Sequence, residues 1–446
     1  MKFSGIIVFL IFMFSASHAQ SILTLEDAVN IALQKNTVFL QSQENLKSFE
    51  ASNKSAFGAL LPAVGADFSW NWNRNQSSAT TPGLFGGSSS SSLDSRSYSA
   101  GIGGSWTLFD GLASYANLDR SESNLEAARL NFQKLKQDIM YQTLAAYYDV
   151  LTAKKLLAVK EDDLKWNRKN FEIIQERNRL GSVTIADVYA QQVKLGNAEL
   201  EAIRAQNNYE TLKSNFFYSL GIDVFENYEF EDKTEQLLSL ELGEGSIGSL
   251  KLEDIINQAL RTRQDYQSTK LSLLSADESI TIAKSGYLPS LRNTFSFGTQ
   301  SDRPGDLFKN KSYSVGLTLD IPIFSGWSTD QQVQLAQIDK TVKELELRDL
   351  EREIKRDLLK NYLDLQASEK RLEVGKSNVL AASENRKIEE EKYLLGATTL
   401  LNVLIANSEY TNAQTSYITA QFDYLKLKEQ LDYQIGLLDS SNFGKK

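Results

Sequence analysis

The chain is poor in side chains that do chemistry. Its single histidine, His18, lies in the first twenty residues, and it has no cysteine. Imidazole base catalysis, thiolate nucleophiles and soft-metal ligation therefore have no residues to work with beyond that segment. Disulfides and a lipid-anchored N-terminal cysteine are excluded as well. Carboxylates and serines remain, yet neither a nucleophile elbow nor a paired-carboxylate motif singles out any of them. An enzyme is disfavoured, and no cofactor is expected. The most distinctive local chemistry belongs to the backbone. Leu180-Gly181-Ser182-Val183-Thr184 returns as Leu395-Gly396-Ala397-Thr398-Thr399. A glycine that ends one helix, followed within three residues by a hydroxyl that caps the next, describes a sharp helical hairpin.

These two turns belong to a duplication that runs through the chain. Leu23-Thr24-Leu25-Glu26-Asp27 returns as Leu250-Lys251-Leu252-Glu253-Asp254, and Leu61-Pro62 as Leu288-Pro289. The offset is 227 residues up to these prolines and 215 after them, so the copies differ chiefly in one loop. Ahead of the first copy, Lys2, the apolar run Ile6 to Phe14 and Ser17-His18-Ala19 read as a secretory signal over residues 1–19. Cleavage there would remove His18. Repeat 1 then covers 20–220, an irregular acidic linker 221–249, repeat 2 250–436 and a polar tail 437–446.

Each repeat holds the same elements. An opening helix, Leu25 to about Ala59 or Leu252 to about Gly286, is stopped by the Leu-Pro pair. A β-hairpin follows, about 64–108 and about 291–323. Val64, Ala66, Phe68, Trp70 and Trp72 alternate with Asp67, Ser69, Asn71 and Asn73. Segments of about ten residues with period two and aromatic positions fit outer-membrane β-strands. The Ser- and Gly-rich stretch from Asn75 to Ser95, including Ser88 to Ser92, reads as an extracellular loop. A long helix comes next, about 110–179 and about 325–395, with Leu118, Leu125, Phe132 and Ile139 spaced by sevens as in a coiled-coil seam. At 1.5 Å per residue it is roughly 105 Å long. After the glycine turn a second helix runs over about 184–220 and about 399–435. The two shorter helices of a repeat together match the long one.

Four strands cannot close a barrel, and lipid does not tolerate open sheet edges. Copies must combine, giving eight strands from two chains or twelve from three. Inward Ser, Gly, Asn and Thr suit a wet channel. The expected fold class is an internally duplicated α+β membrane protein. Its long antiparallel coiled-coil helices form an α-helical barrel, and its four β-strands per chain complete a twelve-stranded β-barrel as a trimer. The net charge of −9 and the lack of a basic stripe argue against nucleic acid.

The order helix, hairpin, long helix, glycine turn and helix, used twice behind a signal, resembles the TolC family of outer-membrane efflux proteins. The resemblance rests also on the Leu-Pro stops and on the turns Leu-Gly-Ser-Val-Thr-Ile-Ala-Asp-Val from Leu180 and Leu-Gly-Ala-Thr-Thr-Leu-Leu-Asn-Val from Leu395. It implies a homotrimer in outer-membrane lipid of a Gram-negative bacterium, extending into the periplasm. It implies work with a periplasmic adaptor (membrane fusion) protein and an inner-membrane transporter. The implied function is a passive exit duct for efflux or secretion, gated at the periplasmic tips. By the same resemblance Gly181, Ser182, Val183, Thr184, Gly396, Ala397, Thr398 and Thr399 are adaptor-docking tips. Asp187 and Tyr393 match a gate link, and Thr398 stands where the family has an arginine. Asn402 and Ile405 stand where some members carry a cation-sensitive pair of aspartates, so that ring is not expected here. Phe68, Trp70, Trp72 and Trp106 are candidate lipid anchors. The rival readings are a periplasmic coiled-coil adaptor or structural rod without a channel, and an exported hydrolase.

Overall fold

The computed structural model describes residues 21–80, 88–243 and 251–439. The secretory segment with His18, Gly86 and Gly87 of the Ser-Gly stretch, the end of the linker and most of the tail lie outside the described residues. The elements are, in chain order, β1 (Ser21–Leu23), α1 (Leu25–Lys35), α2 (Thr37–Gly58), β2 (Ala63–Thr80), β3 (Ser88–Asp110), α3 (Ala113–Arg179), α4 (Ile185–Leu220), β4 (Tyr228–Phe230), α5 (Thr234–Gly243), α6 (Leu252–Thr262), α7 (Gln264–Ser285), β5 (Ser290–Ser301), β6 (Lys311–Asp320), α8 (Ser328–Leu394) and α9 (Leu400–Ile435).

Three sequence expectations are corrected. The opening helix is two helices in each repeat, of 11 and 22 residues both times. The breaks fall at Asn36 and Arg263, where the backbone turns extended without glycine or proline. Asn36 makes the break possible: its side-chain oxygen accepts from the N–H groups of Val38 and Phe39, and its amide donates to the Ser219 carbonyl. The Asn75–Ser95 stretch is not all loop. β2 and β3 stay paired from Asn75↔Leu93 to Thr80↔Ser88. Main-chain pairing does not need apolar side chains, so a Ser-rich hairpin hides from a hydrophobicity pattern. The linker is not irregular throughout, since it contains β4 and α5.

The chain divides into two compact units. One comprises Gln41–Lys134 and Leu260–Lys355 and contains an antiparallel sheet of order β2-β3-β5-β6. Residues opposite each other in such a sheet point to the same face. Phe68 lies opposite Ala100, Trp70 opposite Tyr98, Phe297 opposite Tyr313 and Phe295 opposite Val315. This face is apolar and exposed: Phe68 is 78% exposed and Val315 79%. A bulge in β3 between Thr107 and Phe109 inserts Leu108 and turns Phe109 onto the face of Trp106. The other face carries Asp67, Ser99, Gly101, Ser296, Gly298 and Ser312. β2 and β6 are the sheet's edges, each paired on one side only.

The second unit comprises the described parts of Met1–Leu40, Leu135–Ala259 and Arg356–Lys446. Parallel β1 and β4 pair as Ser21↔Tyr228 to Leu23↔Phe230. They pack on an aromatic cluster in which Tyr147 lies 5.9 Å from Phe216 and 5.6 Å from Phe230, centroid to centroid. The Tyr147 hydroxyl stands 2.9 Å from the Leu23 carbonyl and 2.8 Å from that of Glu231, so its one proton is shared between the ends of both strands. Burial and the neighbouring Glu231 push this phenol well above its usual range. Lys155 and Asp232 form an ion pair at 2.9 Å beside it. The described part of the tail docks too: Leu438 is buried, and Gln137 donates to its carbonyl and to that of Gly436.

Candidate functional site

The two glycine turns sit in this second unit and share one backbone plan. Gly181 and Gly396 have φ of +72° and +75°, a region that other residues enter at a cost. The N–H of Ser182 reaches back to the Arg177 carbonyl and that of Ala397 to the Lys392 carbonyl, both at 2.8 Å. The glycine N–H groups bond to Asn178 and Tyr393. Each helix thus ends in a Schellman motif. Around both glycines there is open space within the chain.

The following helix starts differ. Thr184 and Asp187 close a capping box on α4: the Thr184 N–H and hydroxyl donate to the Asp187 carboxylate at 3.0 and 2.8 Å, and the Asp187 N–H returns to the Thr184 hydroxyl. Thr399 makes no side-chain cap on α9. Asn402 replaces the aspartate there, and its amide donates to Thr398 at 2.9 Å. Thr398 in turn donates to Glu389 of α8 at 2.9 Å. Donors from Lys392 first, then Thr398, hold the Glu389 carboxyl below its ordinary value. The expectation that both threonines cap their helices holds for Thr184 only. The two starts differ by one substitution, aspartate to asparagine, at the third helical position, and no capping box closes on α9.

Beneath the turns lies an apolar cluster of Ile174, Val188, Tyr393, Leu400 and Val403, with Phe171 and Val183 packed against it. Tyr393 is buried, 9% exposed, and its hydroxyl has no hydrogen-bond partner among the described residues. The structure does not pair Tyr393 with Asp187 within one chain, since the carboxylate is engaged by Thr184. It brings an unexpected residue to the same place. Arg177 of α3 donates to the carbonyls of Tyr393 and Leu394, at 3.4 and 3.1 Å, with its guanidinium 5.1 Å from the Tyr393 ring centre. A cation at a helix C-terminus is favoured by the helix dipole. Arg177 therefore clips the end of α8 to the end of α3.

Polar contacts continue below it. The Trp166 indole donates to Glu390 at 2.8 Å, and Asn407 donates to Asp163 at 2.7 Å. Gln191, fully buried, donates to the Asn167 carbonyl at 3.0 Å and accepts from Asn170. Nothing in a single sequence separates Arg177 from the other charges on α3. Only its height, one turn before the glycine, could have drawn attention to it.

The turns also present apolar side chains outward. Leu180 is 65% exposed, Leu395 84% and Leu401 64%. On the sheet, Phe68, Trp70 and Trp72 share one exposed face, while the Trp106 indole donates to the Leu60 carbonyl at 2.9 Å, where α2 passes into β2. Tyr313, Val315, Leu317 and Leu319 extend the same face, a row that the period-two pattern of β6 already carries.

Among the described residues there is no cluster of acidic or histidine side chains able to hold a metal, and no helix is long and apolar enough to cross a membrane. The family described as "Outer membrane efflux protein" matches residues 28–221 and 255–437, one stretch per repeat. The outer membrane protein TolC of Vibrio cholerae is 23% identical over 430 residues, covering 91% of each chain. TolC of Escherichia coli is 22% identical over 408 residues, 89% of this chain and 78% of that one. The crystal structure of the Campylobacter jejuni CmeC outer membrane channel superposes with a TM-score of 0.80 at 17% identity, covering 94% of this chain and 88% of that chain. Proteins of this family are conduits without enzymatic activity that work with adaptors and inner-membrane transporters. Three copies close a twelve-stranded barrel in the outer membrane and a helical barrel in the periplasm. This chain belongs to the outer membrane efflux proteins and is an exit duct of that kind.

Proposed function

We propose that the duct is engaged and gated at the two glycine turns. Residues Gly181 to Thr184 and Gly396 to Thr399 receive a periplasmic adaptor, which connects the duct to an inner-membrane transporter. The observation that carries this reading is the exposure of Leu180, Leu395 and Leu401 beside turns with open space around their glycines. Exposed apolar groups clustered at a turn mark an interaction surface. Asp187, Tyr393 and Asn402 line the gate. Within each chain its resting position is held by Arg177, which fixes α8 to α3. The buried Tyr393 hydroxyl, which lacks an acceptor among the described residues, takes one when the helices rearrange. Phe68, Trp70, Trp72 and Trp106 face outer-membrane lipid.

The absence of cysteine makes the test clean. Ser182→Cys and Ala397→Cys, each alone, give one thiol per chain. With a short thiol-to-amine cross-linker in intact cells, both should capture a periplasmic protein, whereas Asn207→Cys on α4 should not. Equal capture at all three positions, or none at the turns, would refute docking there.

A further inference from the structure

We propose that the outer face of the barrel carries a ring of cations, Arg74, Arg96 and Lys311 of each chain, that binds phosphorylated lipid headgroups of the outer leaflet. The inference rests on the reading of the apolar sheet face as lipid-facing.

Register places the three residues. Arg96 lies opposite Trp72, and Arg74 lies two residues beyond Trp72 on the same strand. Both therefore share the face of Phe68 and Trp70. Lys311 lies opposite Thr299, which lies opposite Ala100, itself opposite Phe68. All three sit at the end of the sheet away from the strand–helix connections, next to the aromatic residues Trp72, Tyr98 and Tyr313. At the helix end the same face carries Val64, Trp106, Phe109, Leu291 and Leu319, with no charge among them. The asymmetry is the informative point. An apolar band with charges at one rim only has matched itself to one leaflet.

The geometry fits a ring at one depth. From Val64 to Trp72 the band spans eight steps, about 26 Å along the strand, which a tilt of about 40° lowers to about 20 Å of height, inside the roughly 25 Å of a barrel's apolar belt. Counted along the hydrogen-bonded rows, the charged rim climbs from Lys311 on β6 through Arg96 on β3 to Arg74 on β2. The opposite rim keeps one row from Leu319 on β6 through Leu291 on β5 to Phe109 on β3 and rises only from there to Val64 on β2. Strands tilted by about 35–45° require the climb of the charged rim if that rim lies level.

The charge at the rim is positive. Asp94 pairs with Arg74 at 3.6 Å and is the one carboxylate on this face there. Arg96 and Lys311 are exposed, with no ion-pair partner among the described residues. The sequence from Asn75 to Leu93 contains no charged residue that could neutralise them. In the β5–β6 turn Asp302 and Asp306 balance Arg303 and Lys309. Three cations against one carboxylate, repeated three times around the barrel, favour a multiply anionic lipid surface. Guanidinium and ammonium groups at headgroup height match phosphate in particular.

The test uses purified trimers in a mild detergent, titrated with diphosphorylated lipid A and read by native mass spectrometry. Each removed cation should weaken binding about fivefold, and Arg96→Gln with Lys311→Gln about thirtyfold. Arg96→Lys with Lys311→Arg should bind within about twofold of the parent, which separates charge from folding. Undiminished binding by the double Gln variant would overturn the proposal. So would full displacement of the lipid by inorganic phosphate at equal phosphate concentration, which would indicate a site for free anions. A second reading guards the premise. In a Trp166→Phe, Trp327→Phe background, phosphatidylcholine with brominated chains should quench the sheet tryptophans whether or not the cations are present. Loss of quenching would show that the lipid-facing assignment is what failed.

Discussion

Replacing Arg177 with alanine should loosen the tips without disturbing assembly. The guanidinium makes two hydrogen bonds to α8 carbonyls, one of good length at 3.1 Å and one long at 3.4 Å, and covers the Tyr393 ring at 5.1 Å. A hydrogen bond to a charged group is worth about 1.5–3 kcal/mol when protected. Arg177 is only half-buried, so about 1 kcal/mol for the shorter bond and less for the longer is appropriate. The ring contact adds about 0.5 kcal/mol. The sum, about 2 kcal/mol, is a shift of about thirtyfold in the equilibrium between fixed and released α8 ends. A subunit released about 1% of the time would then be released about 20–25% of the time. Single-channel recording in planar bilayers should show this as more frequent and longer openings. Arg177→Lys should fall between, because an ammonium cannot serve two carbonyls and a ring at once. If Arg177→Ala trimers, verified on native gels, open as rarely as the parent, the clip does not hold the gate.

Two further outcomes concern the tips and the β1–β4 pair. Thr184→Ala should cost the start of α4 about 1 kcal/mol, whereas Thr399→Ala should cost α9 almost nothing, because only Thr184 closes a capping box. Amide exchange at residues 184–188 against 399–403 reads the difference, and equal effects would refute it. The Asp232 carboxyl is opposed by burial, but hydrogen bonds from Thr234 and Lys155 prevail and set it below its ordinary 3.8. A lowered folded value stabilises fully above pH 3.8 and is lost as pH falls through that lower value. Limited proteolysis around β4 should therefore quicken on acidification in the parent, and Asp232→Asn should show a flat profile over the same range.

Much of the architecture was legible because it is periodic. The long helices, the alternating strands and the glycine turns are patterns of spacing, and a duplication states each of them twice. The breaks at Asn36 and Arg263 were not legible. They depend on a side chain reaching Ser219, far along the chain, in one copy, and on Arg263 packing beside Asp265 in the other. The long first hairpin was hidden for a different reason, since serine pairs through its backbone and leaves no hydrophobic trace. At the tips, turn chemistry could be read from Gly181 and Gly396, but the unequal helix starts could not, since capping was expected of Thr184 and Thr399 alike. What each start does instead required coordinates, because Glu389 and Arg177 act across helices with no fixed spacing to the turn.

The unequal hairpins have a consequence outside the cell. β5 covers β3 only from Tyr98 to Asp110, and β6 has ten residues against the eighteen of β2. Above that height β2 and β3 form a ribbon of two strands with no neighbouring strand on either side among the described residues. Two-stranded ribbons are marginal in water, so its amides should exchange first among all the strands. Its outer N–H and C=O groups are also an open template. A foreign peptide arriving in extended form could add itself there as a third strand, by main-chain bonding alone. The part of the duct that meets the exterior thus offers backbone rather than side chains for recognition.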